Sequence, residues 1–113
     1  MTENWYTGNA GEDAGQYRGW LLGHFIPDGP RHSDAVEVKW GVHPSGDTRD
    51  EWSTGETRTT FVLLISGRHE IELRTGKVLL SRPGDYVVWG PGIDHTWRAD
   101  QDSVLLTVRW PSS

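Results

Sequence analysis

The sequence predicts an all-β domain, and three observations carry that expectation. From residue 19 onward, short apolar runs alternate with turn residues, as strands joined by tight connections require. No window of helical length holds a 3.6-residue period, and only a short turn near Glu12–Tyr17 fits a helix. Two of the runs are apolar at successive positions, the pattern of strands covered on both faces. A chain of 113 residues is enough for one domain, because at this size roughly two-thirds of the unfolded surface is buried on folding.

Residues 1–18 are polar, rich in Gly, Asn, Glu and Asp, and read as a flexible N-terminal arm, leaving 19–113 as the domain. The expected strands are Trp20–Ile26, Ala35–His43, Arg58–Ser66, His69–Arg74, Lys77–Ser81, Asp85–Trp89, Asp94–Ala99 and Ser103–Trp110. Between them lie turns such as Pro27-Asp28-Gly29-Pro30, Pro44-Ser45-Gly46-Asp47, Ser66-Gly67 and Thr75-Gly76. Along Ala35–His43, Val36, Val38, Trp40 and Val42 share one face, expected to be the buried one. Glu37, Lys39 and His43 share the polar face. Thr60–Ile65 and Val104–Val108 are apolar on both faces, so each is expected between two apolar layers. A homodimer would supply the second layer, and the alternative is a sandwich covered by the arm.

Composition narrows the function. Net charge is −5, from 11 Lys and Arg against 16 Asp and Glu, without a basic cluster, which argues against nucleic acid and anionic membrane as partners. The absence of cysteine excludes disulfides and thiolate chemistry and fits a reducing compartment. No run has membrane-spanning length and the N-terminus has no signal-peptide pattern, so the expected location is cytoplasmic. Seven tryptophans offer core, interface or pocket-wall surface. Neither a phosphate-cradling glycine loop nor a nucleophile elbow is present.

The densest motif is Pro83-Gly84-Asp85-Tyr86-Val87-Val88-Trp89-Gly90-Pro91-Gly92-Ile93-Asp94-His95, in which glycine and proline turns bracket a strand and fix where the next begins. It resembles the second motif of the cupin superfamily, with Gly90 where that pattern usually has proline. Leu63-Leu64-Ile65-Ser66-Gly67 is similar to the close of the first cupin motif, and the likeness runs from about Val36 to Trp110. The resemblance implies a small antiparallel β-barrel of the double-stranded β-helix, jelly-roll-like type, with His95 aimed inside. It would also bring a divalent transition metal as cofactor. Counting back from Gly67, however, Thr60 stands at the family's glutamate position and Thr54 and Glu56 at its histidine pair. Of the usual ligands only His95 is retained. Glu56 is an acceptable carboxylate substitute, and His43 is the third candidate for a two-histidine, one-carboxylate set.

The expected catalytic groups are His95, titrating near neutral pH, and Glu56 as its carboxylate partner; a solvated Glu56 paired with Arg58 is the alternative. Trp97 lies two residues after His95 and so shares its strand face. Trp97, Tyr86 and Trp40 are candidate aromatic walls or core, and Trp52, in a polar loop, is a candidate rim. His43, Arg49 and Lys39 offer donors to an anionic ligand such as a carboxylate or phosphate, or are simply solvated. His24 reads as a satisfied core or interface histidine, while His32 and His69 have no distinguishing context. Three functions fit. One is a small-molecule-binding cupin performing metal-independent isomerisation, epimerisation or cyclisation. The others are a metal-dependent dioxygenase, isomerase or lyase, and a non-catalytic binding or assembly module.

Overall fold

A computed structural model describes residues 4–113, and residues 1–3 of the expected arm lie outside the described residues. The strands follow the expected order: β1 (Trp20–Leu22), β2 (Glu37–His43), β3 (Thr59–Ser66), β4 (His69–Leu73), β5 (Gly76–Leu80), β6 (Tyr86–Trp89), β7 (His95–Ala99) and β8 (Ser103–Trp110). The helix α1 (Ala10–Asp13) precedes them, capped by the Asn9 side chain, which accepts from the Glu12 amide. Arg31 stacks over the rings of Tyr6 and Tyr17, tying the arm to the domain. Among the described residues no helix is long and apolar enough to cross a membrane.

The strands form two antiparallel sheets. One has the order β1-β2-β8-β3-β6 and the other β5-β4-β7. Residues 47–53 extend the smaller sheet along β7: the Ala99 amide donates to the Asp47 carbonyl, Arg49 to Trp97, and Ser53 and His95 to each other. Val62, Leu64 and Leu105 from the larger sheet meet Ile71 and Leu80 from the smaller one, with Trp89 closing the cluster. At Gly67 the turn from β3 to β4 presses on the chain before β8. Its φ is +92°, and a Cβ there would sit 1.9 Å from the Asp102 carbonyl oxygen, so only glycine fits.

One expectation is reversed. On β2 the polar set points inward: Glu37 is fully buried and Gly41 is buried, whereas Val42 is 66 % exposed. The apolar set joins the outward rows of the neighbouring strands. Val38 lies beside Val108, Phe61 and Val88 in one row, and Trp40 beside Leu106, Leu63 and Tyr86 in the next. Alternation separates two faces but does not sign them. Here the sign is set by Arg109, directly across from Glu37, whose charge makes burial of the acid tolerable.

Candidate functional site

Between the sheets the packing stops short of one end and leaves a cavity of about 180 Å³. At about 30 Å³ per water, that is room for a handful of waters or one small metabolite. Lys39, Arg49 and Arg109 line it, with His43, His69 and His95; among the described residues no Asp or Glu does. It opens past Lys39, His43, Arg49 and Trp97 into a wider cleft walled by Ala14, Gly15 and Arg18 of the arm.

The cations differ in how they are balanced. Arg109 Nε lies 3.0 Å from Oε1 of Glu37, and Arg58 Nη1 donates to the same oxygen. Glu56 Oε2 lies 3.7 Å from Arg58 Nε, so two acids and two arginines balance one another at this end of the barrel. Among the described residues no acidic side chain pairs with Lys39 or Arg49. The Lys39 ammonium rests 5.4 Å from the centre of the Trp20 ring. Burial lowers its pKa below the ordinary lysine value, and the charges of Arg109 and Arg49 add to that, against an opposing pull from Glu37.

The imidazoles are held from several strands. His95 Nδ1 lies 3.2 Å from the Ile93 carbonyl, which only accepts, so Nδ1 carries the proton and Nε2 is left as an acceptor. Its ring tilts against Trp89, 4.6 Å between centres. His43 donates through Nδ1 to Asp47 Oδ2 at 3.1 Å. The His43 ring lies 4.5 Å from Trp97 and 5.3 Å from His69, measured between centres. His69 is buried, with Nδ1 3.1 Å from the Ser103 hydroxyl. Burial, reinforced by the charge of His43, pushes its pKa down from 6.5 to about 4, so it is neutral at pH 7.

Of the residues expected at the site, His95, Trp97, His43, Arg49 and Lys39 line one cavity. Others go elsewhere. Glu56 does not line it; its carboxylate turns to Arg58, so the expected His95–Glu56 pair does not form. The reason is electrostatic: the guanidinium of Arg58 lies within reach of the Glu56 carboxylate and offers it a fixed positive charge. Trp52 packs its ring under the Arg74 guanidinium, 3.9 Å away, and does not rim the cavity. Tyr86 is 61 % exposed on the outer face, stacked on Phe61, because β6 pairs with β3 in a register that turns it outward. Trp40 lies in the same outer row. The set His43, Glu56 and His95 does not converge, and among the described residues no three His, Cys, Asp or Glu side chains are placed to hold a metal. Thr60, at the position of the family's glutamate ligand, offers the cavity a buried hydroxyl without a partner. The donor set therefore does not fit a transition metal.

Sequence alone does not single out His69, Glu37 or Arg109. For His69 a signal was present: it shares strand parity with Ile71 and Leu73, the apolar face of a run whose other face is Glu70 and Glu72. Arg109 likewise shares parity with buried Leu105.

No known family profile and no curated protein matches the sequence. Solved structures do match in shape. KdgF from Halomonas sp. aligns with a TM-score of 0.65 at 23 % identity, over 73 % of this chain and 75 % of that one. A cupin superfamily protein from Desulfitobacterium hafniense aligns at 0.63 and 18 % identity, over 69 % of each chain. The chain has the cupin fold. A RmlC-like cupin from Shewanella frigidimarina agrees, with a TM-score of 0.62 at 13 % identity over 69 % of this chain and 68 % of the other. Identities this low speak for the cupin architecture and leave the chemistry to the cavity itself.

Proposed function

We propose that this cupin binds a small organic anion inside its barrel and carries out acid–base chemistry on it through His95. The observation that supports this reading is the cavity lining: three cations and three imidazoles with no acidic side chain among the described residues. Two of those cations, Lys39 and Arg49, have no ion-pair partner among the described residues, and a desolvated, unpaired charge gains most from a bound counter-charge. Trp97 and Trp89 supply flat apolar walls, and His95 Nε2 supplies a proton acceptor. The expected metal-independent isomerase, epimerase or cyclase classes are compatible with such a site, with His95 acting without Glu56.

A thermal-shift series checks the binding. Small mono- and dicarboxylates should raise Tm and neutral sugars of the same size should not, with the effect shrinking as salt rises. Equal shifts from the neutral compounds would refute the reading. Replacing His95 by Gln should leave the carboxylate-induced shift and abolish proton exchange between the bound acid and deuterated water.

The outer face supports a homodimer. Its two central rows, Val38-Val108-Phe61-Val88 and Trp40-Leu106-Leu63-Tyr86, contain no charge, so a second copy can cover them without stranding one. Light scattering at micromolar concentration should give twice the 12.7 kDa chain mass.

A further inference from the structure

The chain has two lysines among its eleven basic residues. Lys77 is exposed on the β4–β5 hairpin, and Lys39 is the one that lines the cavity. Every other basic side chain on the cavity wall, the imidazoles aside, is an arginine. The distinction matters chemically. A guanidinium stays protonated in a protein, whereas an amine in a confined, cation-rich site gives up its proton more readily and, once neutral, is a nucleophile.

Lys39 meets the requirements of such an amine. Its stem is closely packed: a Cβ on Gly19 would lie 3.1 Å from Cε and 3.2 Å from Cγ, so the backbone just before β1 lies against it. Trp20 covers one side, and among the described residues no carboxylate is paired with the ammonium to hold its proton. Arg109 and Arg49 line the same cavity, so an acid drawn in by the guanidinium groups is brought beside the amine. Lys39 also lines the outer cleft, which gives a ligand a path to it.

We propose that Lys39 condenses with the carbonyl of an oxo-carboxylate whose acid group is held by the neighbouring arginines, forming an imine. The amine nitrogen attacks the carbonyl carbon. The carbonyl oxygen then departs with the two hydrogens originally on that nitrogen as one water, leaving a C=N bond with no change in oxidation state. This names the substrate class of the anion site and rests on that reading.

Reductive trapping tests it. The full chain is incubated with pyruvate and sodium cyanoborohydride, digested, and mapped by mass spectrometry, with Tm followed in parallel. The expected result is a reduced pyruvate adduct on Lys39, at least an order of magnitude above Lys77, together with a Tm rise on adding pyruvate. Lactate, which has the acid but no carbonyl, should raise Tm and give no adduct. Lys39→Arg should abolish the trapping, and Lys77→Arg should leave it unchanged. A Tm rise with no adduct, or with equal labelling of both lysines, overturns the imine proposal and leaves the anion site standing. No Tm rise from pyruvate, lactate or any other small carboxylate overturns both.

Discussion

The two faces of the five-stranded sheet are built from the same strands and differ completely in chemistry. Outward, Trp40, Leu106, Leu63 and Tyr86 cross four strands in register without a charge. Inward, the neighbouring positions form the row Glu37, Arg109, Thr60 and Trp89, with Lys39 beside Thr107 in the next. At this end of the sheet the usual arrangement, apolar in and polar out, is inverted, while Val62, Leu64 and Leu105 keep the rest of the inner face apolar. The inversion fits the proposed function, in which the charged inner row meets a small anion and the uncharged outer rows meet a second copy.

The largest break in this comparison comes from removing the acid that balances the inner row. Glu37→Ala leaves Arg58 and Arg109 without their shared carboxylate, and should cost about 3–5 kcal/mol of stability in urea unfolding. An equally buried acid that cost nothing would mean the pair is solvated. Placing a charge on the outer row comes next. Leu106→Asp should weaken self-association by roughly 2 kcal/mol or more, read as a shift to monomer in light scattering, while the circular dichroism spectrum keeps its β signature.

Smaller effects sharpen the inner face. Arg49→Ala removes an unpaired cation from the cavity wall without stranding a buried acid, and should lower affinity for a small carboxylate about tenfold by calorimetry, with fold stability nearly unchanged. The slightest is a pH effect at His69. Its pKa is lowered on folding from 6.5 to about 4 by burial first and His43 second, so the unfolded chain binds the proton more readily. The stability from keeping it neutral is complete above about pH 6.5 and is lost as pH falls toward 4. His69→Gln should flatten the fall in Tm across that window, whereas a variant as steep as the wild type would assign the loss to other groups.

Much of the architecture was legible because it is written locally. The turn glycines and prolines around Asp85 are such signals: its carboxylate accepts from the Ser81 and Arg82 amides, and Leu64 exchanges backbone bonds with Gly84 and Asp85. Parity carried Trp97 into the cavity with His95, since both face one way on β7. Glu56 was not legible, because its partner was decided by which of Arg58 and His95 the folded barrel set beside it. Nor was Tyr86, which lies in the motif that best announced the fold yet faces away from the site.

The sequence by itself determined the strands, their order, the turns between them and the cupin architecture, because hydrophobic period and turn chemistry are properties of neighbouring residues. The tertiary structure alone decided which side of β2 is the inside. Strand period has no sign; that comes from partners distant in the chain, as when Arg109 on β8 meets Glu37 on β2 and turns a polar face into the wall of a cavity.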